Sequence, residues 1–317
     1  MSTPLVYVGG SARSGSTLLE RLLAGLPGFF SAGELVFVWD RGLRRNDRCG
    51  CGSPFRDCPF WSRVGETAFG GWDQVDVDEA VRLRAVVDRH RNLDRLAGLR
   101  GAGGLEPDLR AYLGLTDRLY QAVREVSGAA VVVDSSKHAS YALLLSRLPA
   151  FDVRLIHLVR RSHGVAHSWS KRVRKPGVGD GSSFMSVIPP SRVVAYWMAD
   201  NLVYDALARR MPHSARVRYE DLIADPPAHL RETLGKLDLR LPADAFDFLG
   251  PAAADLPVTH AFSGNPAFRP GPVVLRPADD DWRTAMRPAQ RALISAATWP
   301  LLSRYGYVPG SGSQSRS

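Results

Sequence analysis

A strand-like apolar run beginning at Leu5 opens directly into "VGGSARSGSTLL", residues 8 to 19, and this stretch constrains the fold more than any other. Gly10, Gly15 and Thr17 satisfy the phosphate-cradling spacing G-x-x-x-x-G-K-[ST], except that Ser16 stands where lysine would reach the outer phosphates of a nucleotide. A strand, a glycine turn and a helix starting at Ser16 present backbone N–H groups to an anion, and the helix dipole adds to the attraction. The bland alternative is an ordinary strand-to-helix turn. Loss of the lysine weighs against triphosphate chemistry, while Arg13 inside the loop still offers a cation for phosphate. The loop is therefore expected to take a smaller anionic group than a metal-bound γ-phosphate.

The same pattern recurs along the chain. Apolar runs at Leu5 to Val8, Ala129 to Val133, Val153 to Val159 and Ala215 to Val217 each precede a stretch with helical spacing, starting near Ser16, Tyr141, Gly164 and Asp221. Strands alternating with helices predict an α/β fold, a doubly wound and mostly parallel sheet of P-loop nucleotide-binding type. In such sheets ligands bind beyond the carboxyl ends of the strands. A single domain over 1–309 is expected, interrupted by an insertion over 40–128 with a cysteine-bearing loop and two amphipathic helices near Asp78 to Leu99 and Glu106 to Val126. Lys171 to Pro190 is rich in glycine, serine and proline and reads as a mobile loop, and 310–317 reads as a disordered tail.

Charge narrows the partners. The formal charge of +9 rests on 41 basic residues, four of them lysine, so arginine is the default cation and each lysine is informative. The arginines cluster at Arg41 to Arg48 and Arg154 to Arg174 without a basic tail, which favours small anionic ligands over nucleic acid. No apolar stretch reaches the ~20 residues of a membrane span, and the strand at Leu5 leaves no room for a signal peptide, so a cytoplasmic location is expected.

A second anion-seeking segment is "RLIHLVRRSHGVAHSW", with Arg160 and Arg161 at a strand end and Ser168 two turns into the following helix. Arginine and serine so placed converge on one more phosphate; a solvated arginine pair is the alternative. The two segments together resemble the sulfotransferases that use 3′-phosphoadenosine-5′-phosphosulfate (PAPS), in which the first loop binds the 5′-phosphosulfate and "LVR" with a serine eight residues beyond its arginine binds the 3′-phosphate. The resemblance implies the first role for Arg13, Ser14, Gly15, Ser16 and Thr17, and the second for Arg160 and Ser168. Arg161-Ser162 replaces the usual Asp-Pro, which leaves open which arginine makes the contact. "VRYEDL" at Val217, "FSGNPAFR" at Phe262 and "LLSRYGY" at Leu301 extend the resemblance, which looks like the bacterial branch of the family. A sulfuryl group carries less charge than a phosphoryl group, so PAPS is the implied co-substrate and neither the lysine nor a metal ion is implied.

Sulfuryl transfer to a hydroxyl needs an in-line acceptor, a base and cations on the developing charge. Glu34 in "FFSAGELVF" is expected beside the loop, after a return strand beginning at Phe29-Phe30, and is the first candidate base; glycan sulfotransferases carry a glutamate there. Lys137 in "VVVDSSKHASY" is assigned to the leaving oxygen, and His138 is the alternative base because imidazole titrates near neutrality. His163 and His167 are expected to line the arginine site. Arg269 closes over the nucleotide in this reading, with Phe268 packing beside it.

Cys49, Cys51 and Cys58 stand in "CGCGSPFRDCPFW". Three thiols need a fourth ligand to close a zinc site, and the nearest histidine downstream is His90, so ordinary buried or free thiols are expected over zinc or a disulfide. Two other functions stay open: a P-loop kinase or nucleotide hydrolase, because "VVVD" ending at Asp134 resembles a metal-binding strand end, and a nucleotide-binding regulator without chemistry. The acceptor, a small molecule or a carbohydrate, is not specified by any motif.

Overall fold

The run after Thr3 forms the central strand of the protein in a computed structural model that describes residues 2–99, 101, 103–171, 187–250, 253–254, 256, 259–263, 273–274 and 280–307. In chain order the elements are β1 (Thr3–Gly9), α1 (Ser16–Ala24), β2 (Phe29–Gly33), α2 (Pro59–Phe69), α3 (Val77–Val87), α4 (Leu93–Leu96), α5 (Glu106–Ser127), β3 (Val131–Asp134), α6 (Ala139–Leu145) and β4 (Phe151–Val159). They continue with α7 (Ser162–Ser170), α8 (Pro190–Ala208), β5 (Ser214–Arg218), α9 (Tyr219–Ala224), α10 (Pro226–Lys236), the short pair β6 (Ala253–Ala254) and β7 (Val273–Val274), α11 (Trp282–Ala285) and α12 (Pro288–Arg304).

Five strands pair in parallel in the order β2-β3-β1-β4-β5, as the alternating pattern predicts. Leu5 lies beside Val132 on one side and Val153 on the other. Because successive side chains of a strand point to opposite faces, Leu5 and Tyr7 join the core under α5 and α6, while Val6 and Val8 join the core under α1 and α10. Both faces are buried, which is why β1 reads as an unbroken apolar run rather than an alternating one. A third cluster, built on Trp197, Trp282, Leu301 and Tyr305, packs α12 against α7 and α8. No helix among the described residues is long and apolar enough to cross a membrane.

The strand order places the site. The connection leaving β1 runs toward β2 and the one leaving β4 runs toward β5, so a crevice opens between the carboxyl ends of these neighbours. At the other edge β2 shifts register against β3 between Ser31 and Gly33, and Phe262 also pairs with Gly33 there. The Phe262 N–H donates to the Ala32 carbonyl at 3.1 Å, and the Glu34 N–H donates to the Phe262 carbonyl at 2.8 Å. Gly33 permits this approach, since a Cβ there would fall 2.3 Å from the Phe262 backbone nitrogen and oxygen, and its φ is +83°.

Two expectations for the insertion change. The helix expected over Asp78 to Leu99 stops at Val87, resumes as a single 3₁₀ turn at His90–Asn92 and continues as α4. Asn92 causes the break locally by donating its amide to the Val86 and Val87 carbonyls at 2.8 and 3.1 Å, and the break turns Asp88 inward. Beyond the cysteines there is a further helix, α2, entered through Pro59, whose missing N–H costs nothing at a first helical position. Arg269, Phe268, residues 172–186 of the expected loop and the expected tail lie outside the described residues.

Candidate active site

The turn between β1 and α1 is held by Gly10 and Gly15, with Arg13 also in the left-handed region at φ +70°. Gly15 is needed twice over: its φ is +96°, and a Cβ there would enter the Tyr219 ring at 2.3 Å. The start of α1 has no side-chain cap and no acidic residue in its first turn, and its first helical bond is from the Leu19 N–H to the Gly15 carbonyl at 3.1 Å. The N–H groups of Ser16, Thr17 and Leu18 precede that bond and are the donors a helix leaves for an anion. The Ser14 hydroxyl is buried with no hydrogen-bond partner among the described residues. Burial lowers the Arg13 pKa, and its guanidinium lies over the Trp169 ring at 5.1 Å. A hydroxyl without a partner among the described residues, the amides at a helix start and an arginine fit an oxyanion ligand.

β4 delivers the second element. Arg160 is turned into the crevice, where Nη1 donates to the Arg13 carbonyl at 3.0 Å and the guanidinium covers Tyr219 at 4.5 Å. A Cβ on Gly164 would sit 3.1 Å from Arg160 Nε, so this face of α7 lies against the arginine, and Ser168 follows one turn later on the same face. Arg161 points away: its N–H donates to Glu220 at 3.0 Å, its Nη2 donates to the Tyr307 carbonyl at 3.1 Å, and its guanidinium stacks on Tyr307. The two arginines, adjacent in the sequence, are thus separated at the turn from β4 into α7. His163 does not line the arginine site as expected. It is buried against Trp282 and hydrogen-bonds the Arg291 carbonyl and Ser295 of α12, with burial lowering its pKa.

Because β2 and β3 are neighbours, the residues that follow them meet. Lys137, at φ +61°, donates Nζ to Glu34 Oε1 and to the Ser135 carbonyl, the latter at 2.7 Å. Glu34 Oε2 accepts from Ser263 at 3.2 Å and lies 3.7 Å from Arg41 Nη1. Arg41 comes from a π-helical turn over Val38–Arg44 and rests on the Phe37 ring at 3.8 Å. The backbone of His138 is clamped by the Tyr7 hydroxyl, which accepts its N–H and donates to its carbonyl, both at 2.8 Å. Its Nδ1 meets Asp88 Oδ2 at 2.7 Å, and Asp88 Oδ1 accepts from Ser140 at 2.5 Å. Burial pushes the Asp88 carboxyl up, but the hydrogen bond and charge of His138, with Ser140 and Arg84, outweigh it and hold the pKa below its ordinary value. An ionised Asp88 fixes the proton on Nδ1 and leaves Nε2 as the basic nitrogen.

Asp88 and Asp200 carried no motif that would have singled them out, while Arg41 lay in the arginine cluster and Ser263 in the FSGNPAFR segment without a role assigned to either. Asp200, on α8, bonds Ser11 of the loop and interacts with His90 and His138; burial raises its pKa. Asp134, the residue behind the kinase-like alternative, is fully buried, accepting from Tyr120 at 2.5 Å and from the Ser136 N–H at 2.6 Å. Burial pushes its pKa up to about 6, and a carboxyl so enclosed is not presented to a magnesium ion at the loop. The cysteines do find a histidine, His260, which stands 202 residues beyond Cys58 along the chain.

The chain shares the sulfotransferase fold. The sulfotransferase domain of an olefin synthase from Synechococcus PCC 7002 superposes with a TM-score of 0.53 at 21% identity, over 97% of each chain. The sulfotransferase domain from the curacin biosynthetic pathway has 19% identity over 93% of this chain and 97% of that one, at a TM-score of 0.49. Sulfotransferase STF9 from Mycobacterium avium has 13% identity over 96% of this chain and 76% of that one, at 0.46. No family model and no curated protein matches the chain.

Proposed function

We propose that this chain, built on the sulfotransferase fold, transfers the sulfuryl group of PAPS to a hydroxyl of a small-molecule or carbohydrate acceptor. The observation that carries the reading is the convergence of two anion-seeking elements on one crevice, the uncapped start of α1 after β1 and Arg160 after β4. The absence of the loop lysine fits the same chemistry, since the group to be moved bears less charge than a phosphoryl group.

In this reading Arg13, the Ser14 hydroxyl and the amides of Ser16 and Thr17 hold the 5′-phosphosulfate, and Arg160 with Ser168 holds the 3′-phosphate. PAPS supplies the activated sulfuryl group. His138 takes the acceptor's proton at Nε2 as the new oxygen–sulfur bond forms, with Asp88 keeping the ring in the tautomer this requires. Lys137 and the α1 amides neutralise the charge that gathers on the departing phosphate as the old sulfur–oxygen bond breaks. His138 takes precedence over Glu34 as base because both Glu34 carboxylate oxygens are already engaged, one by Lys137 and the other by Ser263 and Arg41. Glu34 then positions the lysine.

Calorimetry with adenosine 3′,5′-bisphosphate and adenosine 5′-phosphate tests the assignment. The bisphosphate is expected to bind far more tightly, and Arg160→Ala to weaken it roughly ten- to a hundredfold, the worth of a charge-assisted contact of ~1.5–3 kcal/mol. Arg161→Ala is expected to leave it unchanged. Equal affinities for the two nucleotides would sink the proposal. Incubating cell extract with PAPS and searching by mass spectrometry for a sulfate mass gain distinguishes an enzyme from a regulator that only binds.

A further inference from the structure

One cluster of reactive side chains takes no part in the proposed transfer. Cys49 and Cys51 lie in the loop after the π-helical turn, Cys58 caps α2, and His260 arrives from 202 residues beyond Cys58. Cys58 Sγ lies 3.6 Å from Cys49 Sγ and 3.7 Å from Cys51 Sγ. His260 Nδ1 lies 3.7 Å from Cys49 Sγ and 3.3 Å from Cys58 Sγ, and all four atoms fall within 4.8 Å of one another. A disulfide needs sulfurs about 2.05 Å apart, and all three thiols are free. A tetrahedral zinc ion, with bonds of about 2.3 Å to sulfur and about 2.0 Å to nitrogen, spreads its ligand atoms about 3.8 Å apart between sulfurs and about 3.5 Å between sulfur and nitrogen.

We propose that Cys49, Cys51, Cys58 and His260 hold one zinc ion in a closed structural site. The Cys51 N–H is aimed at the Cys49 sulfur, the Ser53 N–H at Cys51, and the Phe60 and Trp61 N–H groups at Cys58. Amides so directed stabilise negative sulfur and orient it, the service that outer hydrogen bonds give a metal site. His260 presents Nδ1 to the sulfurs of Cys49 and Cys58. Its ring lies flat on Phe60, with centroids 5.0 Å apart, and its carbonyl accepts from Trp61 Nε1 at 3.0 Å. Cys49 and Cys58 are buried, and four protein ligands complete the tetrahedron, so the site has no open position for catalysis.

Its consequence lies at the β2 edge. The Gly50 N–H donates to the Ala261 carbonyl at 3.0 Å, Cys49 bridges Phe262, and Phe262 in turn pairs with Gly33. The ion therefore ties the insertion to the segment 259–263, whose Ser263 holds Glu34. This assignment stands independently of the transfer reaction.

The test is elemental analysis of the intact protein, purified without chelator from zinc-supplemented cells. One zinc per chain is expected, with X-ray absorption reporting three sulfurs and one nitrogen, and cobalt substitution is expected to give thiolate charge-transfer bands with tetrahedral ligand-field bands. Cys58→Ser and His260→Ala are expected to lose the metal. Because loss of a structural ligand can itself unfold a chain, the wild-type protein carries the decision: removing zinc from it is expected to accelerate hydrogen exchange at 49–58 and 259–263 together. Three titratable thiols with no metal, a disulfide in the native protein, or an iron chromophore overturns the proposal.

Discussion

Glu20 offers a test of the architecture that needs no knowledge of the substrate. It lies on α1, one turn past the glycine loop that follows β1, with 1% of its surface exposed. Ser31 of β2 donates to one carboxyl oxygen and Ser135, after β3, to the other. Burial pushes its pKa up from 4.5 to about 7, only partly offset by the two serines and the charge of Lys137. Below pH 4.5 the carboxyl is protonated in folded and unfolded chains alike and costs nothing. As the pH rises the unfolded chain releases its proton first, so stability falls until about pH 7, where a cost of about 3 kcal/mol is complete. Glu20→Gln removes the titration and weakens at most one hydrogen bond of ~1 kcal/mol, so the variant is expected to be about 2 kcal/mol more stable near pH 8. The measurement is urea unfolding of both proteins from about pH 4.5 to 8, read as a difference in which unaltered groups such as Asp134 cancel. The difference should grow with pH and then level off. A variant less stable by the same amount at every pH would mean that Glu20 is ionised in the folded chain, and the reasoning from burial would fail.

Two further expectations follow from the site. His138→Ala is expected to lower turnover by ~10²–10⁴, the contribution of a positioned base, with bisphosphate affinity within about twofold, while Glu34→Gln costs less. The reverse ranking in a steady-state transfer assay returns the role of base to Glu34. Gly33→Ala places a Cβ 2.3 Å from the backbone of Phe262 at a φ of +83°, so a loss of several kcal/mol is expected in thermal unfolding. An unchanged Tm would refute the pairing of Phe262 with β2.

The glycine turn before α1, the parallel strands and the placement of Glu34 and Lys137 at strand ends were legible in the sequence because each depends on neighbours a few residues apart. Glycines set the turn, apolar runs buried on both faces set the strands, and side-by-side strands bring the residues after them together. Four details required the folded chain. Arg160 and Arg161 are chemically the same, and only the turn from β4 into α7 sends one to the crevice and the other to Tyr307. His163 reads as a site residue until α12 is seen packed over it. Asp88 became the partner of His138 because Asn92 ends α3 early, an event no periodicity announces. The fourth is His260: a tetrahedral set of ligands is a condition on distance in space, and 202 residues of intervening chain carry no local signal of where they return. Patterns of a few residues fix elements through sterics and burial, whereas the meeting of distant side chains is decided by strand order and packing, properties of the whole chain at once.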